Sequence, residues 1–182
     1  MCVIAFVPKG VETPNKETIT AMYMANRDGC GCADGNGNVL KTLSFKKLMK
    51  QIEKRTTDTS LLLHFRIATQ GSVKVRNCHP FVDDKTGIIF AHNGCLSMQP
   101  KNDKTDSEIF FRDYFLHWLH DCNGNINDPL LWQQVDAVRN GSRLVFLQGN
   151  EATFAGNWQK IDGVFYSNTY WQYRLNNHFY EY

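Results

Sequence analysis

The chain has 182 residues, 42% of them hydrophobic and 21% charged, which is ordinary for a globular protein and favours a single domain spanning residues 1–182. Twenty basic residues against 18 acidic ones leave a net charge of +2, too balanced to indicate a nucleic-acid partner. No apolar run approaches the roughly 18 residues of a membrane span, so neither nucleic acid nor membrane is expected as a partner.

The first half of the chain predicts alternating strands and helices. A short buried strand is expected at residues 2–7 and a helix at residues 15–26. The following stretch, 26–38, cannot be a regular helix because four glycines fall between positions 29 and 37. Ser44 is a typical N-cap, and an amphipathic helical stripe follows it, formed by Phe45, Leu48, Met49 and Ile52.

A strand at residues 61–68 alternates in an informative way. One face is apolar, while His64 and Arg66 fall on the other. The apolar face consists of Leu61, Leu63, Phe65 and Ile67. Residues 87–92 predict another strand, which runs directly into the tight-turn dipeptide Asn93-Gly94.

The second half begins with a strong helix and ends in strands. Thr105 and Glu108 form a capping box, and the helix after it presents an aromatic stripe to the core, made of Phe111, Tyr114, Phe115, Trp118 and Leu119. A further helix is expected at 129–139. From Ser142 onward the chain is β-rich and punctuated by turns, which together indicates an α+β fold built in layers.

The six cysteines indicate reduced thiols. The start of the chain, MCVIAFVPKG, lacks the basic region of a signal peptide, and the cysteines lack the paired spacing of a disulfide framework. We therefore expect a cytoplasmic protein. Cys30-x-Cys32 and Cys78-His79 also lack the paired C-x₂-C spacing of structural zinc, so no metal and no cofactor is expected.

Cys2 differs chemically from the other cysteines because it directly follows Met1. Its small side chain should permit removal of the methionine, which frees an α-amino group beside the thiol. An α-amine titrates near ~7.7–8.0 and a thiol near ~8.5, so at neutral pH the amine can accept the thiol proton. Such a residue can attack an amide carbonyl and form a thioester.

Other segments supply what that reaction needs. Arg66 at a strand end can grip a carboxylate with two hydrogen bonds. Asn93 and Gly94 offer an amide side chain and a backbone N–H as an oxyanion pair, and Asp106 at a helix N-terminus can receive an ammonium group. The polar turn Asn26–Gly31 could line the same pocket.

Taken together and in this order, these segments resemble the class II glutamine amidotransferases, which are N-terminal-nucleophile hydrolases. The likeness is closest to a stand-alone branch with the motifs N-x-D-G-x-G, H-x-R-x-A-T-x-G, N-x-H-P-F, H-N-G and T-D-S-E, and it covers roughly residues 1–120. The corresponding segments are Asn26–Gly31, His64–Gly71, Asn77–Phe81, His92–Gly94 and Thr105–Glu108.

The resemblance implies a four-layer αββα sandwich and a role for each matching residue. Cys2, freed by removal of Met1, is implied as the nucleophile and its amine as the general base. The Asn93 side chain and the Gly94 N–H are implied as the oxyanion hole. Three groups are implied for binding glutamine: Arg66 at its α-carboxylate, helped by Thr69, and Asp106 at its α-ammonium. A turn that orders the site is implied for Asn26, Arg27 and Asp28.

The predicted function is release of ammonia from the glutamine side chain through a cysteine thioester, with a separate synthase or ligase as acceptor. Two alternatives stay open: an N-terminal-nucleophile amidase acting on another γ-glutamyl amide, and a non-catalytic scaffold or regulatory protein that keeps Met1. Each motif alone has a structural interpretation, such as an ion pair for Arg66 or helix-dipole complementation for Asp106, and their joint occurrence favours the enzyme. Asn77 and His79 are interpreted as structural, and His64 and His92 as supporting groups.

Overall fold

The computed structural model describes residues 1–69, 71–100 and 104–177. In the first half, the elements are β1 (Val3–Val7), α1 (Lys16–Ala25), β2 (Cys30–Asp34), β3 (Val39–Thr42), α2 (Phe45–Ile52), β4 (Leu61–Phe65), a 3₁₀ turn (Val75–Asn77), β5 (Phe81–Val82) and β6 (Ile89–Asn93). In the second half they are α3 (Asp106–Ile109), a π-helical segment (Phe110–Phe115), α4 (Leu116–Asp121), α5 (Pro129–Val138), β7 (Arg143–Gln148), β8 (Glu151–Ala155), β9 (Gln159–Ile161), β10 (Val164–Tyr166) and α6 (Gln172–Asn177).

The strands form two antiparallel sheets. The larger has the order β3-β2-β4-β1-β10-β9, and the smaller has the order β5-β6-β7-β8. In the larger sheet, β1 lies between β4 and β10, with Ala5 opposite both Leu63 and Tyr166. The N-terminal strand β1 is therefore central in its sheet, and Cys2 directly precedes a strand that is paired on both sides.

Three apolar clusters separate four layers, and strand alternation explains them. Val3 and Ala5 of β1 face a cluster shared with α1 and α2, whereas Ile4 and Phe6 face a cluster between the two sheets. The opposite face of the smaller sheet packs on the helices from α3 to α5, with Phe146 near the centre. The predicted four-layer αββα sandwich is thereby confirmed.

The strand predicted at 61–68 is shorter than expected. It ends at Phe65, after which the Arg66 N–H donates to the Gly29 carbonyl and the Asp28 N–H donates to the Arg66 carbonyl. Opposite Arg66 the neighbouring segment is the turn of Asp28 and Gly29, which precedes strand β2. Ile67, predicted to share the apolar face of this strand, lies two residues beyond its end and is 37% exposed. The predicted end of the strand at residue 68 is therefore wrong.

The aromatic stripe is only partly as predicted. Phe111, Phe115 and Leu119 are buried, but Tyr114 is 41% exposed and Phe110 is fully buried. The cause is the π-helical segment, in which the Leu116 N–H donates to the carbonyl of Phe111, five residues back. Wider turns change which residues face the core.

The described residues contain no helix that is both long enough and apolar enough to cross a membrane.

Candidate active site

Cys2 lies immediately before β1 and is held by contacts from distant parts of the chain. Its thiol donates to the Ile67 carbonyl at 3.6 Å, and its own carbonyl accepts a 2.7 Å hydrogen bond from the Asn168 side-chain amide. Burial raises the pKa of the Cys2 thiol. The thiol is thus protonated at rest, and a base must accept its proton when it attacks.

Beside Cys2 is a small polar cavity of about 30 Å³, called here the inner cavity. It is lined by Cys2, Arg66, Ile67, Thr69, Asn77, His79, His92, Gly94, Thr105, Asp106 and Ser107. The fold therefore brings together five predicted site residues from four separate segments: Cys2, Arg66, Thr69, Gly94 and Asp106. A water molecule takes up about 30 Å³ in the liquid, so the inner cavity must widen to admit glutamine.

Arg66 supplies the positive charge of the inner cavity. Its side chain is 4% exposed, and one guanidinium nitrogen donates to the Ser72 carbonyl at 3.2 Å. The backbone beside it is fixed by Asp28, whose carboxylate accepts a 2.8 Å hydrogen bond from the Ala68 N–H. A buried guanidinium at this position suits a carboxylate ligand.

Asp106 supplies the negative charge, at the first residue of α3. Its carboxylate accepts hydrogen bonds from the Leu96 N–H at 3.0 Å and from the Ser107 N–H at 2.8 Å. The Ser107 hydroxyl donates to it as well, at 3.2 Å, and lies 2.8 Å from Nδ1 of His92. These contacts fix the orientation of the carboxylate, and Thr105 caps the helix behind it.

Gly94 and Asn93 follow one another at the end of β6 but face different surroundings. Gly94 has φ +142°, and a Cβ there would lie 2.3 Å from Ser142 Oγ, so only glycine fits. Asn93 is fully buried and lines neither the inner cavity nor the larger cavity that adjoins it. Its side-chain nitrogen donates to the Ser167 hydroxyl at 2.9 Å.

The turn residues Asn26, Arg27 and Asp28 do not line the inner cavity. Asn26 is buried and donates to the Met22 carbonyl at 3.3 Å. Arg27 is exposed and Asp28 is half-buried. Asp28 touches the Arg66 segment through the hydrogen bonds described above, so this turn shapes the site from outside.

Two residues near the C-terminal end contact predicted site residues, and the sequence analysis did not assign either of them to the site. The Ser167 hydroxyl accepts hydrogen bonds from the Ile4 N–H and from Asn93, both at 2.9 Å. Asn168 holds the carbonyl of Cys2. Their only local signal is a Ser-Asn pair after a short strand, which is typical of many turns.

No metal site is evident: within the ranges that the structure describes, no three His, Cys, Asp or Glu side chains are grouped so that they could hold an ion. The cysteines, including Cys30, Cys32 and Cys78, are free thiols.

Residues 41–151 match the family model described as "Glutamine amidotransferases class-II". The chain belongs to the class II glutamine amidotransferases. The matched range starts after Cys2, so the family assignment does not depend on the nucleophile. Comparison with curated protein sequences gives no match.

Among solved structures, the chain is similar to the glutamine phosphoribosylpyrophosphate amidotransferase from B. subtilis, solved with ADP and GMP, at a TM-score of 0.57 and 13% identity. The alignment covers 91% of this chain and 41% of that one. At this identity the likeness establishes the fold, which is that of the N-terminal-nucleophile hydrolases. The chain thus spans less than half the length of that solved amidotransferase.

Proposed function

We propose that the protein hydrolyses the side-chain amide of glutamine, with Cys2 as the nucleophile after removal of Met1. The observation that carries the proposal is the inner cavity, where a thiol, a guanidinium and a carboxylate from Cys2, Arg66 and Asp106 line one small space. Free glutamine carries a matching carboxylate, ammonium group and amide.

In the proposed reaction, Arg66 binds the α-carboxylate, assisted by Thr69, and Asp106 binds the α-ammonium group. The freed amine of Cys2 takes the thiol proton as sulfur attacks the amide carbon. Such a base is needed because burial raises the pKa of the thiol. The protonated nitrogen leaves as ammonia, and water then hydrolyses the glutamyl thioester to glutamate and regenerates the thiol.

The negative oxygen of the tetrahedral intermediate is proposed to be stabilised by the Gly94 N–H and the Asn93 side chain. Asn93 donates one N–H to Ser167 and has a second available, since an amide nitrogen carries two hydrogens. In the proposed scheme, the small widening that admits glutamine also exposes this second donor to the inner cavity. Asn26, Arg27 and Asp28 are proposed to order the Arg66 segment.

We further propose that the chain is a single glutaminase-like domain over residues 1–182, located in the cytoplasm, that passes its ammonia to a separate synthase or ligase. In the ranges described, all three apolar clusters belong to one sandwich. The free cysteines agree with a reducing compartment.

The proposal is tested by intact-mass measurement before and after exposure to 6-diazo-5-oxo-norleucine, a glutamine mimic that alkylates such nucleophiles. We expect a mass without methionine and one adduct, with glutamate released from glutamine in a parallel assay. Cys2→Ala should acquire no adduct and release no glutamate. Cys95→Ala, which removes an exposed neighbouring thiol, should still be alkylated at Cys2.

A protein that retains Met1, takes up no adduct and releases no glutamate would overturn the proposal. That result would favour the non-catalytic scaffold. Equal alkylation of wild type and Cys2→Ala would show that the label reports another thiol.

A further inference from the structure

A second cavity of about 270 Å³ adjoins the inner one, and it is called here the outer cavity. The two share the lining residues Cys2, Thr69 and Gly94. The rest of the outer wall consists of Met1, Cys95, Asn140, Gly141, Ser142 and Arg143. The proposed nucleophile and the proposed oxyanion donor thus stand at the boundary between two spaces.

This boundary position divides any bound amide into two parts. With the scissile carbonyl at Cys2 and Gly94, the glutamyl part extends towards Arg66 and Asp106 in the inner cavity. The group on the amide nitrogen then extends towards the outer cavity. The amide nitrogen of glutamine carries only hydrogen and leaves as ammonia, which is close to water in size, and a water molecule occupies about 30 Å³ in the liquid. The outer cavity therefore has room for a leaving amine larger than ammonia.

The wall of the outer cavity is firmly built. The Ser142 hydroxyl donates to the Cys95 carbonyl at 3.1 Å, and Gly94 packs so closely on Ser142 that a Cβ would lie 3.0 Å from its Cα. Ser142 itself is 1% exposed. The side of the outer cavity formed by Gly94 and Ser142 is therefore a fixed part of the packed fold, and it does not depend on Met1, which is removed in the proposed enzyme.

Arg143 gives the outer cavity its charge. It is the half-buried first residue of β7, opposite Asn93 in the sheet, and its Nε donates to the Asn157 carbonyl at 3.4 Å. No carboxylate oxygen of the described residues lies within ion-pair distance of it, whereas the nearby Arg139 is paired with Asp136. A half-buried guanidinium without an acidic partner favours an anionic ligand, above all a carboxylate.

We propose that the outer cavity binds the leaving amine of a γ-glutamyl amide, and that this amine carries a carboxylate held by Arg143, as in a γ-glutamyl amino acid. The inference rests on the proposed function, because the same Cys2 and the same glutamyl site are used. Sulfur bonds to the γ-carbonyl carbon, the C–N bond breaks, and the protonated nitrogen leaves as a free amino acid. Water then cleaves the thioester, so γ-glutamyl-X and water give glutamate and X.

The test compares three substrates that differ only in the leaving amine: glutamine, γ-glutamyl-alanine and γ-glutamyl-alaninamide, which lacks the terminal carboxylate. Glutamate release gives kcat/KM for each, with wild-type protein whose mass shows that Met1 is absent. We expect γ-glutamyl-alanine to exceed γ-glutamyl-alaninamide by about tenfold or more, the effect typical of one charge-assisted contact.

Variants assign that preference to Arg143. In Arg143→Gln the ratio of the two dipeptide substrates should fall to within about twofold, each rate being normalised to the same variant's glutamine rate. Arg143→Lys, which keeps a charge but not the planar fork, should retain part of the preference. Arg139→Gln, which removes the paired arginine, should leave the ratio unchanged.

The outcomes separate this inference from the proposed function. Hydrolysis of glutamine with no cleavage of γ-glutamyl-alanine, or with equal rates for the two dipeptide substrates, overturns the inference and leaves the glutaminase intact. A preference for the carboxylate that survives in Arg143→Gln overturns the role of Arg143. No hydrolysis of any of the three substrates overturns both.

Discussion

Three buried histidines meet at the inner cavity and the face of the larger sheet behind it. The His64 and His79 rings lie 4.3 Å apart, and those of His79 and His92 lie 6.2 Å apart. Burial lowers the pKa of His64 to about 3 and that of His92 to about 4, and it holds the pKa of His79 well below its ordinary value. The positive charges of Lys41 and Arg66 act in the same direction on His64 and His79. All three rings are therefore neutral in the folded protein at neutral pH.

This arrangement predicts loss of stability in mild acid. The unfolded chain takes up protons on these histidines near pH 6.5, whereas the folded chain does so only near pH 4 and below, so the unfolded state binds more protons between these limits. The free energy of unfolding should accordingly decrease as the pH is lowered, by up to about 1.4 kcal/mol per pH unit for each histidine. Urea unfolding at pH 6.5, 5.75 and 5.0 measures this slope above the range of ordinary carboxylates.

His79→Gln isolates one of the three contributions, because both ring nitrogens of His79 are buried without a hydrogen-bond partner among the described residues. The slope should decrease by about one histidine's share. His120→Gln is the matched control, since the His120 side chain is 91% exposed and solvated in both states. A wild-type free energy that stays flat between pH 6.5 and 5.0 would contradict the assignment.

At the scale of the element, the π-helical segment decides which aromatic rings reach the core. The regular helix expected from the capping box onward places Tyr114 on the buried stripe with Phe111 and Phe115. The wider turns instead bury the consecutive residues Phe110 and Phe111 completely and leave Tyr114 at the surface. The periodicity of the sequence could not predict this. A π-helical turn holds more residues than an α-helical turn, and here the wider turn goes with the packing of Phe110 and Phe115 against Phe146 of β7.

We therefore expect truncation of Phe115 and truncation of Tyr114 to lower the free energy of unfolding by different amounts. The Phe115 ring is fully buried and stacks on Phe146 with centroids 4.1 Å apart, so Phe115→Ala should cost about 3–5 kcal/mol of unfolding free energy. Tyr114→Ala should cost less, about 1 kcal/mol, because Tyr114 is 41% exposed and lies outside the buried cluster. Chemical denaturation of both variants measures the difference, and comparable losses would contradict the observed phase of the helix.

At the scale of the whole molecule, local sequence patterns predicted most of the sandwich. They did not predict elements such as β2, which form where distant segments of the chain approach closely. The elements β1, α1, α2 and α5 follow from periodicity and caps. The tail was expected to be β-rich from its turn residues, which agrees with β7 to β10 but not with the helix α6. Strand β2 was not predicted, because Cys30-Gly31-Cys32-Ala33 lacks the branched and aromatic residues typical of strands. Gly31 belongs there because a Cβ would lie 2.1 Å from the His79 carbonyl oxygen.

The candidate site likewise has residues that the sequence predicts and residues that it does not. Residues within the motifs could be proposed from sequence, and the fold places five of the predicted site residues around one cavity. Ser167 and Asn168 could not, since their partners Ile4 and Cys2 are 163 and 166 residues away in sequence. The pairing of β10 with β1 brings the segment around Ser167 and Asn168 to the beginning of the chain.

That long-range closure gives the last prediction, which concerns Ser167. Its hydroxyl receives the side-chain amide of Asn93 and the N–H of Ile4, so Ser167→Ala leaves both donors without their acceptor and frees the Asn93 side chain to turn. If Asn93 stabilises the oxyanion as proposed, kcat for glutamine should fall about tenfold, less than the ~10²–10³ of a deleted donor. KM should change less than about twofold, because Arg66 and Asp106 are not touched.

Steady-state kinetics on three variants decides whether Ser167 positions Asn93 or merely supports the fold. Ser167→Thr keeps a hydroxyl and should recover most of kcat. Ser60→Ala is the matched control, because the Ser60 hydroxyl is fully buried and without a hydrogen-bond partner in the described part of the chain; its kcat should equal that of wild type. A Ser167→Ala protein that loses stability but keeps its kcat would limit Ser167 to a structural role and would separate Asn93 from the chemistry.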